Sequence, residues 1–117
     1  MPASNNPERY AAQVNRALKP IFRQFLETQS KHLGGIRLAL ERGALKDASR
    51  LAHSVKGATG TYELPEAAAQ AAALEAAVQA GDPAQVEALL DRLAAYLDAL
   101  DVAFVDPTDA PKDLPGR

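Results

Sequence analysis

The stretch Leu51-Ala52-His53-Ser54-Val55-Lys56-Gly57-Ala58-Thr59-Gly60 holds residue types that could do chemistry. A free imidazole titrates near pH ~6.5, so at neutral pH it is mostly uncharged and keeps one ring nitrogen with an available lone pair. Such a nitrogen can attack phosphorus and hold a phosphoryl group as a phosphoramidate, a bond labile enough to pass the group onward. Lys56 follows at i+3, on the same side of a helix, where its ammonium could neutralise phosphoryl charge. Gly57 follows at i+4 and leaves no side chain where the phosphoryl group or an incoming partner must sit. Positioning is most of what a phosphoryl relay asks of a protein.

A helix is expected from about Ala44 to Tyr62, with Leu45, Ala48, Ala52, Val55, Thr59 and Tyr62 as its inward stripe. Ser49, His53, Lys56, Gly57 and Gly60 then share one outward face. A solvated face normally holds Glu, Lys, Gln and Arg. Two glycines here disfavour the helix by about 2 kcal/mol relative to alanine. In a chain with 25 alanines, that choice points to something approaching the backbone beside His53. Ordinary readings stand next to this one. A surface histidine needs no function, Lys56 alone is a solvated lysine, and Gly57 and Gly60 could serve helix packing.

The elements that must position this face read as helices. Ala (25) and Leu (15) dominate, while Val plus Ile is only 8, which favours helix over strand. Asn6-Pro7-Glu8 resembles a helix start, so a short N-terminal helix is expected to about Lys19, with Tyr10, Val14, Ala17 and Leu18 on one face. A second helix spans about residues 20–42, carrying Phe22, Leu26, Gln29, Leu33, Ile36 and Leu40 inward, and Gly43 ends it. After Leu64-Pro65-Glu66 a fourth helix carries Leu64, Ala67, Ala71, Leu74 and Val78, and stops at Gly81. Asp82-Pro83 opens a fifth, with Val86, Leu89, Leu90, Leu93, Leu97, Leu100 and Phe104 on its apolar face and Asp98 and Asp101 on its solvated face. The fold class is therefore all-α: an antiparallel up-and-down four-helix bundle with a short additional N-terminal helix. Residues 1–105 form that one domain, and 106–117, with three prolines, form a disordered tail.

Composition excludes other classes. With no cysteine, disulfides and thiolate chemistry are out. Lys plus Arg is 13 against 15 Asp plus Glu, which lacks the basic excess of a nucleic-acid binder. No apolar run is long enough to span a membrane, and the N-terminus has no secretory pattern, so the cytoplasm is the default location. His32 and His53 lie far apart with no clustered carboxylates, so no metal site is expected.

Ala52-His53-Ser54-Val55-Lys56-Gly57-Ala58 closely resembles the histidine-phosphotransfer (HPt) motif: Ala-His, one free position, an apolar residue, Lys-Gly, then a small residue. Residues 36–57, IRLALERGALKDASRLAHSVKG, look like that family's helical hairpin, and Leu64-Pro65-Glu66 with Leu74-Glu75 looks like its next helix. The likeness covers about residues 20–100. The chain departs at Glu63, where the family often has glycine, and at Ala44-Leu45, where it often has an acidic cap. The resemblance implies phosphorylation of His53 on Nε2, Lys56 near the phosphoryl group and Gly57 as the steric gap. It implies receiver domains of a hybrid sensor kinase and of a response regulator as partners, with Mg2+ on the receiver. The domain itself would need no cofactor, and the chain shows no phosphate loop of its own. A free-standing monomeric carrier is expected, not an enzyme.

His53 lies ten residues past the hairpin turn, level with Leu33 on the second helix. Gln29, His32, Leu33, Gly34 and Gly35 are thus candidates for partner docking, with Ser49 and Gly60. For His32 a boundary role, for Gln29 an interhelical amide, and for Gly34-Gly35 a packing device are the plain alternatives. Two other functions compete with the relay. One is a helical binding module without phosphotransfer; the other is a hydrolase with His53 as base, which lacks a paired nucleophile.

Overall fold

The computed structural model describes residues 10–106. Four helices follow one another: α1 (Lys19–Glu41), α2 (Leu45–Thr61), α3 (Pro65–Ala80) and α4 (Pro83–Asp98). Each packs on the next in the chain, and α1 also meets α4. The sequence dictates the stops. After α1, Gly43 takes φ +73°, and the amide of Ala44 turns back to Ala39 O at 2.8 Å. After α3, Gly81 takes φ +70° and Asp82 N reaches Ala77 O at 3.3 Å. Both are the left-handed stop that glycine accepts without penalty. After α2 the same turn closes with Leu64 N on Thr59 O at 3.0 Å, but Glu63 occupies the left-handed position at φ 61°. A side chain there costs roughly 1–2 kcal/mol. Asp82 caps α4 by accepting from Gln85 N at 3.2 Å.

The inward stripes meet in one core. Ala48, Ala52, Val55 and Thr59 of α2 are buried, as are Ala67, Ala71, Leu74 and Val78 of α3. Alanines on both helices keep this seam thin. Phe22, Phe25, Tyr62 and Phe104 fill one end; Phe25 and Tyr62 stack with centroids 3.9 Å apart. Leu45 is not part of the stripe. It opens α2 and is half exposed.

Two expectations are corrected at the ends. Tyr10–Asn15 is not a helix but a strand, β1, and the last helix ends at Asp98, after which Leu100–Val105 forms β2. The two strands pair in parallel, Tyr10 opposite Leu100 and Val14 opposite Phe104. Val14 and Leu100 are buried while Ala11, Gln13, Asp101 and Ala103 are exposed, the period-two pattern of a half-buried strand. Asp101 accordingly lies on β2, not on a face shared with Asp98. The proposed helix start at Asn6-Pro7 and the tail from 107 onward lie outside the described residues.

β1 also lays Tyr10 against Tyr96, centroids 4.7 Å apart. The Tyr96 phenol is pushed above its ordinary value by burial first, then by Glu66 and Tyr10. A raised tyrosine pKa means the neutral form is favoured by the fold. That contribution is complete below the unfolded-state value near ~10 and is lost as pH rises toward the folded value. Melting temperature should therefore fall above about pH 10, with one of the three tyrosines ionising late in the ultraviolet titration. A Tyr96→Phe variant with the same late-ionising tyrosine would contradict this.

Candidate functional site

Ala52 and Val55 anchor α2 in the core, so the residue after Ala52 must point away from it. The His53 side chain is 68% exposed. Thr59 is fully buried but satisfied, its hydroxyl donating to Val55 O at 2.8 Å. Gly57 and Gly60 are exposed, and a Cβ on either would meet nothing within 4 Å. Packing between helices does not account for these glycines.

The α2–α3 seam supplies a residue that sequence reading left out. Glu75 of α3 places Oε2 3.2 Å from His53 Nδ1 and Oε1 3.4 Å from Lys56 Nζ. Its side chain is only 16% exposed. An ionised carboxylate only accepts hydrogen bonds, so Nδ1 carries the proton that Glu75 receives. In the neutral ring Nε2 then keeps its lone pair, and it has no protein partner among the described residues. The same carboxylate draws Lys56 to this side of the imidazole. One turn away, Gln79 Nε2 donates to Ser49 Oγ at 3.4 Å.

The α1 residues expected beside His53 do not form one surface. Gln29 is 2% exposed and donates its amide to Phe25 O, and Leu33 is 6% exposed, so neither can meet a partner. Gly35 packs on α2, where an added Cβ would lie 3.0 Å from Leu51 Cδ1. Gly34 opens instead onto a groove between α1 and α4, lined by Leu26, Leu90 and Leu97. His32 is half-buried, and its Nδ1 lacks a hydrogen-bond partner among the described residues. The reason is azimuth. These residues share a level with His53, but each step along α1 turns the side chain by about 100°. Of the docking candidates, Ser49 and Gly60 lie on α2 itself, one turn before His53 and two turns after it.

Among the described residues, no three His, Asp or Glu side chains converge as a metal site would, and no helix is long and apolar enough to cross a membrane. The family model described as "Hpt domain" matches residues 20–103, spanning all four helices. No curated protein and no solved structure gives a significant match.

Proposed function

The chain belongs to the Hpt domain family, and on that premise we propose that His53 is its phosphoryl carrier, receiving the group from one receiver-domain aspartate and giving it to another. Hpt domains serve histidine phosphotransfer in phosphorelays and are carriers, not classical enzymes. The observation that carries the assignment is an exposed imidazole whose Nδ1 is engaged by Glu75 while Nε2 is free. In the forward step the Nε2 lone pair attacks the phosphorus of an aspartyl phosphate. The N–P bond forms as the P–O bond breaks, and the electron pair leaves with the receiver's carboxylate. The proton stays on Nδ1, and Glu75 balances the positive charge the ring gains. Lys56 stands one turn away to neutralise phosphoryl oxygens, and Gly57 leaves room for the receiver. Transfer to the second receiver is the reverse. Mg2+ belongs to the receiver in this reading. In this reading the bundle that presents the site is antiparallel and up-and-down; for α2 and α3 it is supported by Ser49 pairing with Gln79 while His53, further along α2, pairs with the earlier Glu75.

Incubation with a phosphorylated receiver tests the assignment. Label should move to the chain and be stable in alkali and lost in acid. A chain that binds the receiver but never takes label would instead be a binding module. The role of Glu75 has its own check. Glu75→Ala should slow transfer roughly tenfold, the worth of about one charge-assisted hydrogen bond at a solvent-facing site. NMR should show His53 shifting toward the Nε2-protonated tautomer. An unchanged rate and tautomer would remove Glu75 from the mechanism.

A further inference from the structure

Charge is divided unevenly along this chain. Residues 16–61 hold nine Lys and Arg against three Asp and Glu, while 62–106 hold one against nine. Since α1 and α2 lie in the first segment and α3 and α4 in the second, the near-neutral chain folds into a basic half and an acidic half. Not every cation is available. Arg37 is tied to Glu87 and Asp91 of α4, and Arg50 to Asp47 at 2.7 Å. Arg42 and Lys46 are exposed and form no ion pair among the described residues.

Their place relative to His53 is what matters. Lys46, Arg50, His53 and Gly57 succeed one another at i, i+4, i+7 and i+11, the spacing of a single helix face. Before His53 the unpaired charge on this strip is Lys46, since Arg50 is held by Asp47, and Arg42 adds a second at the adjoining α1–α2 turn. Past His53, the Lys56 ammonium is engaged by Glu75 at 3.4 Å, and Gly57 and Gly60 leave the rest of the strip without side chains. Lys46 stands ~10 Å from His53 along the axis in one direction and Gly60 about as far in the other.

We propose that this polarised strip is a recognition surface that selects and orients a partner by charge: an acidic receiver face seats over Arg42 and Lys46, while uncharged backbone lies on Gly57 and Gly60. The inference rests on the relay reading, and it adds the partner's charge and its orientation. The complementarity follows from chemistry. A receiver that carries a phosphoacceptor aspartate and holds Mg2+ needs a cluster of carboxylates to do so. The acidic α3–α4 half turns such a face away, so the field of the whole molecule directs the partner to one side of His53.

The test compares Lys46→Glu with Arg92→Glu, a control of equal net charge change placed on α4. At low ionic strength, Lys46→Glu should lower the second-order rate of transfer from a phosphorylated receiver roughly fivefold, and Arg92→Glu should not. The difference should vanish near ~0.5 M salt, where exposed charges are screened. Phosphorylation of His53 by phosphoramidate, a small donor that needs no docking, should be unchanged in both variants. Equal rates for the two variants, a defect that persists at high salt, or low-salt self-association of the chain that accounts for the effect would each overturn the proposal. Failure of the relay reading looks different: the parent protein itself would take no label from any receiver.

Discussion

Replacing His53 by glutamine should abolish phosphoryl acceptance completely while leaving the fold intact. The imidazole is 68% exposed, and among the described residues its one hydrogen bond is to Glu75 at 3.2 Å. Glutamine retains an amide that can donate to that carboxylate but offers no nucleophilic nitrogen. Surface changes of this kind usually move stability by no more than ~0.5 kcal/mol. Thermal melting and circular dichroism should therefore match the parent, while transfer from a phosphorylated receiver falls to background. Residual alkali-stable label on the His53→Gln protein would mean that another group accepts the phosphoryl. His32 is a poor substitute, since it is half-buried in the middle of α1 with its Nδ1 covered and without a hydrogen-bond partner among the described residues.

The second large effect separates stability from function at Gly57. A Cβ there meets nothing within 4 Å, and the residue sits inside α2. Helix propensity then predicts that Gly57→Ala stabilises the protein by up to about 1 kcal/mol. The same methyl group intrudes one turn from His53, where a receiver must bring its aspartate into line. Gly57→Leu should go further, keeping or raising the melting temperature while slowing receiver transfer roughly 10²-fold, the scale expected when reacting atoms are displaced by about 1 Å. Labelling by phosphoramidate should survive in both variants. Unimpaired transfer in Gly57→Leu would mean the gap is not needed for docking, and loss of stability in Gly57→Ala would mean the position is packed.

What was legible in the sequence follows the range of the forces involved. The rotation of α2 could be read because Ala48, Ala52, Val55 and Thr59 recur at a local period, and burying them turns His53 outward. Glu75 could not be read that way. It reaches His53 across a helix boundary, and the local period that shows which face of α3 is buried does not show which α2 residue Glu75 meets. One signal was present: Glu75 is the only charged residue between Glu66 and Asp82. A lone carboxylate in such a run asks for a partner. Level along the hairpin does not fix azimuth on α1: Gln29 and Leu33 turn inward and Gly34 turns toward α4. The end strands failed because β1 and β2 pair across some ninety positions, as Tyr10 with Leu100 shows. The period-two burial of Val14 and Leu100 is weak next to the helical period that Leu97, Leu100 and Phe104 also satisfy. Glu63, where a glycine is expected, takes φ 61°, the left-handed conformation that a glycine would adopt without strain.

The most direct measurement is a heteronuclear NMR spectrum of the chain after exposure to a phosphorylated receiver. A phosphorus resonance coupled to Nε2 of His53, with Nδ1 still protonated toward Glu75, is the result this mechanism requires. Phosphorus attached at Nδ1, at His32, or nowhere on the chain would contradict it.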